Sequence, residues 1–302
     1  MSRGATIPPA ESAPRSAAVP RDGMLLVDKP AGVTSHDVVM RARRSLGVKR
    51  IGHAGTLDPF ATGLLVLLVG RATRLLPHLS GDPKIYDATI RFGAETSTDD
   101  LLGEITREGT LPQRDAITAA IPQLTGEIAQ VPPTYSAKHV DGHRAYDLAR
   151  RGVDVELKPV TVRVDAWELI AWRDSECDVR ITCGGGTYVR SLARDLGRRT
   201  GSAAHLSALR RVSSGPLSVQ DAISGDVLRS GEFTLRPALD ALRHLESQLL
   251  STAEVEKIAR GIDVPATVNG PWSALVNSDG MLVALAEREG ERWRPRVVMH
   301  DA

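Results

Sequence analysis

Apolar and polar positions change period along this chain in a way that separates strands from helices. The longest unbroken apolar run, Leu64-Leu65-Val66-Leu67-Leu68-Val69, lies between Gly63 and Gly70 and predicts a strand buried on both faces. Met24-Leu25-Leu26-Val27 predicts a second short strand, ending at Asp28-Lys29-Pro30. Residues 84–92, 160–172 and 177–183 alternate as half-buried strands do, and 204–209 extends as another. Thr34 and Asp37 have the spacing of a capping box and open a helix over the residues that follow; 71–79 predicts a short helix, and a third helix begins near Arg190. Residues 96–104, with Asp99, Asp100 and Gly103, read as a polar loop.

This texture divides the chain. Residues 1–22 are rich in Ala, Pro, Ser and Arg without apolar period, and predict a disordered extension. That composition resembles a transit peptide only faintly, lacking an amphipathic pattern and a signal peptide's apolar segment. Residues 23–245 form one large unit, within which 131–154 is a long irregular connection of the kind that is either disordered or functional. Residues 246–302 predict a small unit: a short helix at 252–260 and strands at 272–276, 281–287 and 293–299.

Composition narrows the class. With 302 residues and 42% hydrophobic content the chain can build a sizeable core, and no apolar run approaches the roughly 20 residues needed to span a bilayer. A soluble, cytoplasmic protein is expected. Cys177 and Cys183 lie on one predicted strand about 20 Å apart, too far for a disulfide, and their spacing suggests no metal site. The acids near Asp99 lack the spacing of a calcium loop, so no metal is expected.

Net charge is only +1, but cations are concentrated in two places. Arg41, Arg43, Arg44, Lys49 and Arg50 fill an acid-free stretch; Arg190, Arg194, Arg198, Arg199, Arg210 and Arg211 share only Asp195 as a nearby counter-charge. Each stretch alone reads as a solvated face, and together they favour a phosphate-binding surface.

Between these stretches lies Gly52-His53-Ala54-Gly55-Thr56-Leu57-Asp58-Pro59-Phe60-Ala61-Thr62-Gly63. Asp58 precedes a proline, which removes the helical region from its choices, and sits among glycines at the mouth of the buried strand. A lone Asp-Pro is an ordinary turn; here the acid is placed by rigid backbone. The stretch resembles the catalytic motif of the bacterial tRNA pseudouridine synthase B family, G-H-x-G-x-L-D-P-x-A-T-G, at every fixed position. Lys29-Pro30, Lys84-Ile85-Tyr86, Gly186-Thr187-Tyr188-Val189-Arg190, Ala204-His205-Leu206 with Leu209-Arg210-Arg211, and the 293–298 close resemble further family motifs in order, over about residues 23–300.

The resemblance implies an α/β catalytic domain with a mixed, largely antiparallel sheet, and a small C-terminal PUA-like RNA-binding domain. It implies isomerisation of the T-loop uridine at position 55 of tRNA, with the base flipped out of its stack. Asp58 is then the catalytic nucleophile or base, and Arg190 pairs with it and keeps its pKa low. Tyr86, Tyr188 and Leu209 line the base pocket, and Tyr86 is a candidate for the late proton transfer from C5. His53 fills the space the base leaves, and Arg43, Arg44, Arg50, Arg210 and Arg211 face the RNA backbone. Residues 131–154 resemble the insertion that closes over the T-loop, with ordering expected on RNA binding. Gly185 departs from the pattern, standing where many relatives carry lysine. Isomerisation involves no redox change, so no cofactor is expected; a monomer needing no protein partner and no membrane is expected as well. The rivals are a guide-RNA-dependent synthase sharing the aspartate motif, an RNA chaperone without chemistry, and a metal-dependent hydrolase built on Asp58.

Overall fold

A computed structural model describes residues 22–135 and 157–299, with the backbone of a short ribbon at 139–140 and 143–144. Residues 1–21 of the disordered extension expected at 1–22, and most of the T-loop insertion expected at 131–154, fall outside the described residues. The strands in chain order are β1 (Gly23–Lys29), β2 (Ile51–Ala54), β3 (Thr62–Val69), β4 (Lys84–Phe92), β5 (Ala94–Thr96), β6 (Ile105–Glu108), β7 (Gly126–Gln130), the ribbon β8 (His139–Val140) and β9 (His143–Arg144), β10 (Val160–Arg173), β11 (Glu176–Cys183), β12 (Ala204–Ser214), β13 (Leu217–Ser218) and β14 (Ile223–Ser224). The C-terminal unit adds β15 (Ser247–Leu249), β16 (Val264–Pro265), β17 (Trp272–Val276), β18 (Leu282–Glu289) and β19 (Arg292–Val298).

One large sheet runs β14-β1-β3-β12-β4-β11-β10-β7, with β2 on β3 and β13 on β12. Only the β1–β14 and β3–β12 pairs in it are parallel, so the sheet is mixed and largely antiparallel. The unbroken apolar run of β3 has its cause here. Leu64, Val66 and Leu68 enter one core while Leu65, Leu67 and Val69 enter another, so neither face of the strand meets water.

Helix α1 (Ser35–Leu46) starts from the expected capping box, Asp37 N–H donating to Thr34 Oγ1 at 3.0 Å and Thr34 N–H to Asp37 Oδ2 at 2.8 Å. It packs Val38, Val39 and Ala42 on the β1–β3 face with Leu25, Val27 and Leu65. Helix α2 is Arg114–Ala120, and α3 (Val189–Arg199) packs Leu192, Ala193 and Leu196 on the face formed by Ala88, Ile90, Val179, Ile181 and Leu206. The expected helix at 71–79 is a 3-10 turn over Gly70–His78; it contains Pro77, which has no N–H to give a helix ladder. Helices α4 (Gly225–Ser230) and α5 (Thr252–Ala259) complete the α-helices among the described residues.

The C-terminal sheet, β15-β17-β18-β19-β16, has its own core around Trp293, and also shares one with the large sheet. Ala274, Leu285, Val297 and Met299 pack with Met24, Leu26, Leu64 and Val66, and His78 lies against Trp272 with ring centroids 4.7 Å apart. Shared apolar burial of this kind joins the C-terminal unit to the large sheet. Arg294 and Arg296 on β19 are paired with Asp263, Glu287 and Glu289.

Candidate active site

Asp58 sits in a loop pinned from both sides. Ser35, at the first turn of α1, gives its hydroxyl to Leu57 O and takes Leu57 N–H at 2.9 Å; Gly32 N–H donates to Pro59 O at 2.8 Å. Lys29, fully buried, directs its ammonium at three carbonyls, Val33 O at 2.8 Å, Pro30 O at 3.0 Å and Pro59 O at 3.3 Å. Burial lowers Lys29 to a pKa of about 8, against the pull of Asp58. Gly63, which begins the buried part of β3, has φ +99, and a Cβ there would stand 2.3 Å from Arg211 O, so only glycine permits β3 to lie this close to β12. The strand mouth, the helix start and the loop are thus locked together.

Arg190, in the first turn of α3, meets Asp58 with two parallel bonds, Nε to Oδ2 at 2.9 Å and an Nη to Oδ1 at 3.1 Å. The remaining donors reach Thr98 O at 2.9 Å and Tyr135 O at 2.8 Å, and Asp100 lies 3.6 Å away. Asp58 is about one-third exposed, into a cavity of about 430 Å³ bordered by Tyr86, Tyr188, Leu209, Lys84 and Arg211. The position of Tyr188 is fixed through its backbone, because the buried amide of Gln130 bonds both its N–H, at 2.9 Å, and its C=O, at 3.1 Å.

The electrostatics depart from expectation in one respect. Burial raises the Asp58 carboxyl above its ordinary value and Asp100 adds to the rise, whereas Arg190 and Lys29 oppose it; burial prevails, so the arginine offsets the rise without producing the expected net lowering. Burial likewise raises Tyr86 above the ordinary phenol value, with Arg211 opposing.

The structure brings Asp58, Tyr86, Tyr188, Arg190 and Leu209 to one cavity. His53, on β2, is outside the cavity wall; its Nδ1 is buried without a partner, and burial lowers its pKa. Arg43, Arg44 and Arg50 lie at the end of α1 and in the turn after it, also away from the wall. Arg211 requires a correction. Expected on the RNA-facing surface, it is 1% exposed and gives its guanidinium to Leu64 O at 2.7 Å and Gly55 O at 2.9 Å. Its side chain leaves β12 toward the core, where the carbonyls of the motif supply the acceptors a buried charge needs. Arg210, on the opposite face, is held bidentately by Asp28 at 2.7 and 2.9 Å.

The loop read as merely polar is the largest omission. Asp99 and Asp100 are buried, Asp99 pairing with Arg194 at 2.9 Å and Asp100 facing Arg190. Asp99 has φ +59, and burial raises its carboxyl to about 6 with Arg194 opposing. Nothing in a stretch of acids and threonines marks its residues as buried; the signal available was the arginine spacing of 190, 194 and 198 on one face of α3, which demands partners. Among the described residues no group of three or more His, Cys, Asp or Glu is placed to hold a metal ion, and no helix is long and apolar enough to cross a membrane. Cys177 and Cys183 are buried free thiols.

The fold is shared with chains of known ribonucleoprotein and protein assemblies. The chain in the crystal structure of a Cbf5-Nop10-Gar1 complex superposes with a TM-score of 0.69 at 24% identity, covering 97% of this chain and 92% of that one. An H/ACA ribonucleoprotein bound to a substrate RNA containing 2'-deoxyuridine gives 0.69 at 23% identity, covering 92% of this chain and 85% of that one. Such a likeness shows a shared fold. A family model described as the TruB family pseudouridylate synthase N-terminal domain matches residues 43–189. The tRNA pseudouridine synthase B of Thermobifida fusca is 46% identical over 289 residues, covering 92% of this chain and 98% of that protein. That of Mycobacterium tuberculosis is 43% identical over 295 residues, covering 93% and 96%. This chain belongs to the TruB family of pseudouridylate synthases.

Proposed function

We propose that this protein is a tRNA pseudouridine synthase that isomerises the T-loop uridine, with Asp58 as its catalytic carboxylate. The observation that carries the reading is the bidentate Arg190–Asp58 pair on the wall of a cavity that Tyr86, Tyr188 and Leu209 also border. A flipped pyrimidine needs such a pocket, apolar and aromatic over its faces with a few fixed polar groups.

The reaction breaks the N1–C1′ bond, turns the base and joins C5 to C1′; N1 gains a proton and C5 loses one, so atoms and electrons balance without a cofactor. Asp58 in its ionised form supplies the nucleophile or base at the sugar, and Arg190 holds the carboxylate's two oxygens in one orientation. In this reading Tyr86 covers the base and takes part in the loss of the proton from C5. Tyr188 and Leu209 line the remainder of the pocket. His53, outside the cavity wall, is assigned the space the base vacates. Arg43, Arg44 and Arg50 receive the phosphates of the T-stem. We read it as a monomer acting in the cytoplasm without guide RNA; its identity over nearly the whole length of proteins named tRNA pseudouridine synthase B supports a tRNA substrate.

Incubating the purified protein with an unmodified tRNA transcript, EDTA present and guide RNA absent, and mapping pseudouridine by site tests this directly. Conversion at the T-loop uridine is expected. Conversion only with added guide RNA, or only with metal, overturns it in favour of the corresponding rival. Asp58→Asn should abolish turnover and leave tRNA affinity within about tenfold, since the isostere keeps the packing; a half-active variant would remove Asp58 from the chemistry.

A further inference from the structure

Among the described residues three cations border the cavity: Lys84, Arg190 and Arg211. The guanidinium groups of Arg190 and Arg211 are committed to Asp58 and to backbone carbonyls. Lys84 differs. Its ammonium carries three donors, and among the described residues it meets one acceptor, Asp82 Oδ1 at 2.8 Å. Lys29 shows the contrast, with the same three donors all directed at carbonyls in a closed interior.

Lys84 stands two residues before Tyr86 on β4, so both side chains leave the sheet on the same face, Tyr86 deep in the cavity and Lys84 one strand step nearer the rim. Facing it is the Gly184-Gly185-Gly186 turn. A Cβ at Gly185 would lie 3.3 Å and 3.4 Å from the Asp82 carboxylate oxygens and 3.4 Å from Lys84 Nζ, closer than most side-chain neighbours tolerate. Gly186 has φ +83, with nothing within 4 Å of where its Cβ would stand. Asp82 also accepts the Gly185 N–H, tying the turn to the lysine's carboxylate partner. The rim is therefore bare backbone held beside an ammonium that, among the described residues, has one of its three donors engaged.

A nucleotide whose base enters this cavity carries its sugar and an anionic phosphate, and these leave by the rim. We infer that Lys84 is the phosphate anchor of the nucleotide held in the cavity, with the side-chain-free turn at 184–186 leaving its backbone room to pass. The inference rests on the RNA-modifying reading above. Asp82 orients the ammonium and offsets part of its charge, so one phosphate's worth of attraction is expected from Lys84.

The test measures turnover and binding of an unmodified tRNA transcript across a salt series for the full chain, Lys84→Met and Lys84→Arg. Lys84→Met should raise KM about tenfold with kcat within about twofold, and reduce the slope of log affinity against log salt by about 0.7, the share of one single-strand phosphate. Lys84→Arg should restore both. In a T-stem-loop substrate with a neutral methylphosphonate placed in turn on the 5′ and 3′ sides of the target uridine, one of the two should erase the difference between Lys84→Met and the unaltered protein. An unchanged salt slope in Lys84→Met, or a tenfold difference that persists with both methylphosphonates, overturns the assignment. If the unaltered protein converts no tRNA, the RNA-modifying reading fails instead, so the two failures are told apart.

Discussion

Residues 41–50 and 190–211 both concentrate cations, yet their side chains end in different surroundings. Arg44, Lys49 and Arg50 are exposed, and among the described residues none of the five cations of the first stretch forms an ion pair; Arg43 bonds Ile51 O and Arg50 the Thr73 hydroxyl. In the second stretch Arg190 meets Asp58, Arg194 meets Asp99 and Asp195, Arg198 meets Glu95, and Arg210 meets Asp28. Four of those acids come from other parts of the sheet and its loops. Two concentrations of cations thus give an open positive surface in one case and, Arg199 apart, a scaffold of paired or buried charges in the other, so it is mainly the first that has its charge available for phosphates.

Substitutions can break or sharpen this contrast. The largest effect is expected at Arg190→Lys, which removes the bidentate hold on Asp58 and the bonds to Thr98 O and Tyr135 O: turnover should fall on the order of 10²-fold or more, with tRNA affinity and its salt slope nearly unchanged. A Lys variant with near-normal turnover would show that orientation of Asp58 comes from elsewhere. Next is Arg194→Met, which strands the buried Asp99 and should cost about 3 kcal/mol in denaturant unfolding, again without a change in salt slope.

Arg43, Arg44 and Arg50 replaced together by Gln should act in the opposite manner. Stability should hold while tRNA affinity drops about tenfold or more and the salt slope shrinks by about two units. A slope that stays put would take these residues out of the interface.

Smaller effects follow from the raised carboxyls. Because the folded Asp58 carboxyl is raised, kcat/KM should fall on the acid side with a midpoint above the ordinary carboxylate range, and a pH–rate profile reads it. Asp99, raised to about 6, keeps its proton in the folded protein at pH values where the unfolded chain has released it. Stability should therefore decline as pH rises from about 4 through about 6, and Asp99→Asn should flatten that decline. The smallest effect is expected from Arg210→Gln, whose half-exposed pair with Asp28 contributes within about 1 kcal/mol.

Much of the fold was legible in the chain because its signals are local. The six apolar residues of 64–69 could only be a buried strand, Thr34 and Asp37 sit three apart as a capping box must, and residues 84–92 alternate over the whole of β4. Asp58 was legible too, since proline and glycine restrict backbone wherever they occur. Three points were not. The 96–104 segment looked like solvated loop, Arg211 looked like a surface cation, and Lys84 looked like a strand's first polar residue.

Two of those depend on a partner far away in the chain: Arg211 is inward because β12 lies parallel to β3 at Gly63, and Asp100 is buried because Arg190 crosses to it from α3. Lys84 differs, meeting among the described residues only Asp82, two residues before it. Hydrophobic period and backbone restriction act over a few residues, so the sequence by itself determined the elements and the rigid acid at the mouth of β3. Whether a charge is neutralised or free is decided by desolvation and by acceptors delivered from other elements, and only the tertiary structure assembles those.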